Sequence, residues 1–312
     1  MKIRHLPNVA IHRAAYDACV EAAPNGLIYG LSWWLDVVSP GWEVLVLDDY
    51  RAVMPLPVKR RYGIRFVEQP LFCPMLGIFS GETLTPQVVV AFWQRLQSRV
   101  RLVTRLCLTE PRPISPASQR RHTHLLDLSH SYETLRAGFS RDRLQNLRRA
   151  ERIGWEIQER TDIRPLLIWF RENHTVAIAG GVAPGAYALL ERLVDETQRR
   201  GLSMLWYAEK NGQSEAGVWF VCWKGRVIYL FNAATPAGRR GNARTFLLDR
   251  FFRLKAGQPL IFDFESPEVA SIAGFYESFG AKPQPYTQLG YNRLPGWVNA
   301  VWVVKKWMVG VK

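Results

Sequence analysis

"FDFESPEVASIAGFYESFGAKP", residues 262–283, decides the fold class. It reads as a buried strand, a tight turn, a helix and a stop. Ser266 suits an N-cap, Pro267 a first helical position and Gly280 the residue just past the helix end. Val269, Ile272, Phe275 or Tyr276, and Phe279 recur at helical spacing and predict a core-facing stripe. A strand feeding a helix in this way belongs to an α/β sheet. Asp263 and Glu265 then lie at the carboxyl end of the strand, where open α/β sheets hold ligands. Partnering the dipole of the next helix is the plainer role for both carboxylates. Simple packing is the plainer role for Tyr276.

Upstream, residues 232–246, "NAATPAGRRGNARTF", end a strand, pass through small residues and start a helix near Arg239. Backbone amides at such a start bind phosphate, and Arg239, Arg240 and Arg244 add charge. Gly238 and Gly241 would let a ligand approach the backbone. The helix is expected to run on with Ala243, Leu247, Phe251 and Leu254 on one side. Three strands precede it over residues 203–234, joined at Lys210-Asn211-Gly212 and Lys224-Gly225. Residues 140–154 predict a basic helix capped by Ser140 and stopped by Gly154, with Leu144, Leu147 and Ala150 as its apolar stripe. Arg148 and Arg149 lie among its arginines and could track RNA phosphates or simply face solvent. Residues 164–177 and 184–201 predict two more helices. The first part of the chain reads as a hairpin over 42–59, a helix over 86–100 and further strands.

The 312 residues are 48% hydrophobic and 22% charged, which predicts a globular chain of two domains. A formal charge of +14 favours acidic partners: nucleic acid, anionic lipid or a phosphorylated ligand. Cys19, Cys73, Cys107 and Cys222 form no CxxC pair, so free thiols in a reducing compartment are expected. His122 and His124 flank one residue but have no third ligand nearby, so no metal site is expected. No run has the length of a membrane span, and the N-terminus lacks a signal-peptide core. The expected location is cytoplasmic. The tail, residues 295–312, mixes Trp297, Trp302 and Trp307 with Lys305, Lys306 and Lys312. That mixture suits a peripheral contact with the inner membrane surface, as does the basic run Lys59-Arg60-Arg61, although packing or a solvated face is the plainer reading.

Strand, Gly-rich loop, helix, strand and a helix ending "FYESFGAKP" together resemble the GNAT acyltransferase superfamily. The motif is Ala273-Gly274-Phe275-Tyr276-Glu277-Ser278-Phe279-Gly280-Ala281. The loop is Gly238-Arg239-Arg240-Gly241-Asn242-Ala243, which departs from the superfamily pattern at its first position. Over almost the whole chain, "LFCPMLGIFSGE", "RDRLQNLRRAERIGWEI", "IFDFES" and "FYESFGAKPQPYTQLGYNRLP" resemble the FemAB-like branch, whose best-known members are peptidoglycan aminoacyltransferases. The resemblance implies an α/β (α+β) fold of two GNAT-like domains, each a mixed sheet flanked by helices, over residues 1–145 and 146–312. It implies a donor loop at Arg239, Arg240, Gly241, Asn242 and Ala243, with no covalently bound cofactor and either a coenzyme A thioester or an aminoacyl-tRNA as donor substrate. The acceptor is an amine, small or lipid-linked.

The expected chemistry is attack of that amine on an activated acyl carbon, with no GxSxG elbow or Cys–His pair in evidence. Tyr276 is the candidate proton donor to the leaving group, Glu265 or Asp263 the candidate base, and Asn232 and Phe275 candidate substrate contacts, with Arg148 and Arg149 for an anionic partner. Two rivals stand: an inactive module of the same fold that binds an anionic lipid, a glycan precursor or RNA, and ordinary coenzyme A-dependent acetylation of a small amine. Oligomeric state is left open.

Overall fold

The structure is a computed structural model that describes residues 2–110, 118–173, 182–183, 185–265, 269–300 and 302. It is α/β, as the sequence implies. The chain forms two compact units, one of Met1–Arg121 with Pro285–Lys312 and one of His122–Gln284.

The first unit opens with β1 (Ile3–Leu6), α1 (Arg13–Ala22), α2 (Ser32–Val38), β2 (Glu43–Leu47) and β3 (Ala52–Leu56). The three strands form an antiparallel sheet in the order β1-β2-β3. Asp48 and Tyr50 turn the expected hairpin with φ of 49° and 57°. Next come β4 (Val58–Arg61), β5 (Ile64–Glu68), α3 (Pro86–Arg99) and β6 (Leu102–Leu108). Pro86 sits in the first turn of α3, where its missing N–H costs nothing.

The second unit contains β7 (Ser118–Asp127, from His122), α4 (Tyr132–Ala137), α5 (Arg141–Ile153), β8 (Glu156–Arg160), α6 (Arg164–Asn173) and α7 (Ala186–Arg199). It continues with β9 (Ser203–Lys210), β10 (Gln213–Trp223), β11 (Arg226–Ala234), α8 (Pro236–Arg240), α9 (Ala243–Lys255), β12 (Ile261–Asp263) and α10 (Ala270–Glu277). β13 (Lys282–Asn292) then pairs antiparallel with β6 in the first unit. The division expected after residue 145 falls inside α5. That helix lies wholly in the second unit, because Leu147 and Ala150 are buried in its core.

The second unit's strands run in the order β7-β12-β11-β10-β9-β8. The β9–β10 and β10–β11 turns pass through Asn211-Gly212 and Lys224-Gly225, all at positive φ. Such φ values suit tight hairpins between twisted strands. β11 and β12 are parallel, with Val227 opposite Phe262 and Ile228 opposite Asp263. A parallel pair needs a crossover, and α8 and α9 supply it. An aromatic cluster seals this region: Phe220, Phe251, Phe252, Phe262, Phe264 and Phe279 are all buried.

Three expectations of the sequence change here. The helix expected from Arg239 is broken: α8 ends at Arg240, and Asn242, at φ 52°, starts α9 afresh. Leu254 is exposed rather than part of its buried side. In α10, Val269 and Ile272 are exposed and no residue is fully buried, while Phe279 beyond it is completely buried. Ser266 and Pro267 lie outside the described residues; Val269 occupies the N-cap of α10 with no side-chain cap.

Candidate active site

The end of β11, the start of α9, α6 and α10 enclose a cavity of about 400 Å³ lined by Phe170, Tyr229, Asn232, Arg244, Ser271, Ile272, Phe275 and Tyr276. Each element brings its residue for a local reason. β11 is buried along most of its length, so Tyr229 points its ring into the core and its tip at the cavity. Arg244 is in the first turn of α9 and donates to Asn232 Oδ1 at 2.9 Å. Ile272, Phe275 and Tyr276 come from the face of α10 that core packing leaves half-covered.

Tyr276 stacks on Phe264 with ring centroids 4.6 Å apart and meets Tyr229 edge-on at 6.3 Å. Burial, then the neighbouring Tyr229 and Glu265, push its phenol far above the ordinary value. Burial pushes Tyr229 up to about 12, although Arg244 and Arg143 oppose that. Both phenols therefore stay protonated at neutral pH and can only donate or accept hydrogen bonds. The Tyr229 hydroxyl is buried and has no hydrogen-bond partner among the described residues. Leaving such a group unpaired costs about 1–3 kcal/mol.

Behind Phe275 lies Arg143 of α5, 8% exposed. Its guanidinium carbon is 4.3 Å from the centroid of Phe275 and 4.6 Å from that of Phe279. Nε donates to Ser278 Oγ at 2.9 Å and Nη1 to Thr245 Oγ1 at 2.6 Å. Burial, then repulsion from Arg244, bring its guanidinium down to about 10.

The residues expected to act separate into groups. Tyr276, Asn232 and Phe275 line this one cavity. Asp263 is nearby in sequence but is not available as a base. Its Oδ1 accepts from Thr123 Oγ1 at 2.9 Å and from the Glu265 amide at 2.8 Å, and Oδ2 accepts from Arg226 at 2.6 Å. It is a buried structural carboxylate that ties β12 to β7 and β11. Glu265 adopts φ 63° and does not line the cavity.

The loop residues Arg239, Arg240, Gly241, Asn242 and Ala243 lie around the break between α8 and α9. Arg240 and Gly241 line a different cavity, of about 390 Å³, with Trp155, Lys210 and Glu215. Arg239 donates to Asn173 at 3.0 Å, and Ala243 is buried. A Cβ on Gly241 would lie 2.5 Å from the Trp155 ring, and one on Gly238 would lie 2.0 Å from the Glu215 carbonyl oxygen. Close packing against the protein itself accounts for both glycines. Arg148 and Arg149 are exposed on α5 and line neither cavity.

Sequence reasoning left Tyr229, Arg143 and His124 without a role here. The signal for Arg143 is its spacing: residues 143, 147 and 150 form the buried face of α5, so an arginine occupies a core position. His124 is 4% exposed, with its ring 6.1 Å from Tyr276 and Nε2 3.2 Å from Glu277 Oε1. Its ring packs beside the Tyr276 phenol. Among the described residues no group of three His, Cys, Asp or Glu could hold a metal ion, and no helix is long and apolar enough to cross a membrane. Trp302 is buried against Phe66 at 5.0 Å, and Trp297 is 75% exposed. Trp307, Lys305, Lys306 and Lys312 lie outside the described residues.

The crossover and the α6, β11 and α9 side of the cavity fall within one recognisable segment, while the α10 side lies beyond it. Residues 139–264 match the acetyltransferase (GNAT) domain. The matched segment contains α5, β11, the crossover and β12, and the motif helix α10 follows directly. A crystal structure of FemX superposes with a TM-score of 0.63 at 11% identity, covering 92% of this chain and 97% of FemX. A conserved protein of unknown function from Bacteroides thetaiotaomicron gives 0.57 at 10%, covering 89% and 96%. A GNAT-family acetyltransferase from Colwellia psychrerythraea gives 0.52 at 12%, covering 94% and 100%. At these identities the likeness is one of fold. Comparison with curated proteins gives no match. The match to the GNAT domain and the fold shared with FemX agree with the resemblance read from the sequence.

Proposed function

We propose that this protein is an N-acyltransferase that moves an acyl or aminoacyl group from an activated donor to an amine, with the reacting carbonyl in the cavity beside Tyr276. The observation that carries this is the pair of protonated phenols. Tyr229 and Tyr276 face one cavity, and the Tyr229 hydroxyl has no partner among the described residues. Donors held in place for a developing oxyanion supply the largest single contribution in many acyl transfers.

In this reading the amine nitrogen attacks the acyl carbon, a C–N bond forms and the carbonyl oxygen takes the negative charge. Tyr229 stabilises that oxygen with Arg244 close by. Collapse breaks the bond to the leaving sulfur or oxygen, which accepts a hydrogen bond from Tyr276. A phenol this resistant to ionisation donates a hydrogen bond more readily than it gives up its proton. A thiolate, stable near its ordinary value of about 8.5, is then the better leaving group, which favours a thioester donor. Aminoacyl-tRNA remains the donor that the FemAB-like resemblance implies, and a lipid-linked or cell-envelope amine the corresponding acceptor.

No carboxylate or imidazole among the described residues lines the cavity. The amine must therefore arrive unprotonated and lose its second proton to water. Rate should rise with pH until the acceptor amine is deprotonated, at about 8 for an α-amine and about 10 for a lysine-like one. The deciding experiment is acetyl transfer from acetyl-coenzyme A to a panel of amines by the wild type, Tyr276→Phe and Tyr229→Phe. Loss of turnover with an unchanged melting temperature supports the reading. Full activity in both variants overturns it.

A further inference from the structure

We infer that the cavity beside Tyr276 binds an anionic oxygen group of the substrate, a carboxylate or a phosphate, gripped by Arg244 and backed by Arg143 through the ring of Phe275. That the anion belongs to a substrate rests on the acyl-transfer reading; the binding itself does not.

The argument is one of unbalanced charge. Both guanidiniums lie near the one ring of Phe275, Arg143 at 4.3 Å and Arg244 at 5.7 Å from its centroid. Among the described residues neither has a carboxylate within ion-pair distance: the acceptors are the hydroxyls of Ser278 and Thr245 and the amide oxygen of Asn232. Other arginines of this unit do have acidic partners: Arg160 pairs with Glu209 and Arg226 with Asp263.

Burying a charge costs several kcal/mol even after relaxation. A cation–π contact returns about 1–2 kcal/mol when desolvated, and a hydrogen bond from a charged donor about 1.5–3. For Arg143, two rings and two hydroxyls come close to balance. Bringing a second cation to the same ring tips that balance the wrong way, and the cavity between Arg244 and the Tyr229 hydroxyl is where an anion would restore it. One carboxylate or phosphate there would accept from Arg244, whose planar fork suits both groups, and leave the Tyr229 O–H to the reacting carbonyl. Thr245 and Ser278 serve this arrangement too, since they fix the orientation of Arg143 without neutralising it. A carboxylate at either position would have cancelled the charge.

The test is thermal unfolding of the full chain with inorganic phosphate, with acetate and with chloride, at matched ionic strength and without any acyl donor. The expected result is a saturable rise in melting temperature with phosphate or acetate and none with chloride. Which of the two acts identifies the group. Arg244 is half-buried and its replacement should leave the fold intact; Arg244→Gln should weaken the apparent affinity by roughly tenfold or more, and Arg244→Lys should restore part of it. The inference fails if neither anion exceeds chloride, or if Arg244→Gln responds as the wild type does. Turnover of uncharged amines with no anion effect would remove the anion site and leave acyl transfer standing. A saturable anion effect without turnover of any amine would do the reverse.

Discussion

Tyr276 lines the cavity with Asn232 and Phe275, and its neighbours define what it can do. Packed on Phe264, it is held in one orientation and kept neutral, so Tyr276→Phe should remove a donor without opening a hole. Removing one such donor costs about 10²–10³ in turnover elsewhere, and a loss of about that size at constant melting temperature is expected here. A second residue-scale prediction concerns Glu110 in the first unit. Its Oε1 accepts from the Ile78 amide at 2.9 Å, while Oε2 is buried without a partner among the described residues. Burial raises this carboxyl to about 7. The folded state thus prefers the protonated acid. Its stabilising contribution is complete below the ordinary value near 4.5 and is lost as pH rises through 7. That loss amounts to about 3 kcal/mol. Glu110→Gln keeps the acceptor for Ile78. It should flatten the fall in stability between about pH 4.5 and 7.5 in urea titrations and be the more stable form at pH 8. An unchanged pH profile would show that this carboxyl is not the source.

At the scale of elements, the crossover from β11 to β12 sets the geometry, and its glycines are packing devices. Gly238→Ala would drive a Cβ into the Glu215 backbone, which cannot rotate away, and overpacking of this kind costs about 1–3 kcal/mol or more. Gly274 is the opposite case. It lies inside α10, and a Cβ there meets nothing within 4 Å. Gly274→Ala should raise stability by about 0.5–1 kcal/mol, because glycine is costly inside a helix. Denaturant midpoints of the two variants should move in opposite directions. If Gly238→Ala proves neutral, the close contact between α8 and β10 is wrong.

Across the whole molecule, the two compact units need not unfold together, since chains of this kind often depart from two-state behaviour. The described residues that line the cavity belong to the unit His122–Gln284. Acetyl-coenzyme A at about 100 times its dissociation constant would add roughly 2.7 kcal/mol to that unit, a rise of about 5–10 °C. In calorimetry the transition of the second unit should move and that of the first should not. A shift confined to the other transition would place the donor elsewhere.

By itself the sequence determined the element types, most turns and the likeness to GNAT acyltransferases. These depend on local signals: Ser140 and Gly154 bound α5 as caps, Asn211-Gly212 and Lys224-Gly225 turn hairpins, and the Phe-Tyr helix carries its motif in one short run. Only the tertiary structure decided which polar groups are free to act. Asp263 looked like a base and is consumed by Thr123, Arg226 and a backbone amide contributed from three segments of the chain. Tyr229 drew no notice in the sequence and is a donor without a partner among the described residues. Arg143, not singled out there either, is a buried cation with no acid in ion-pair reach among those residues. A residue's spacing tells which face of an element it occupies. Whether its charge or hydroxyl is already satisfied depends also on distant residues, as Thr123 is to Asp263 and Ser278 to Arg143, and folding alone brings those together.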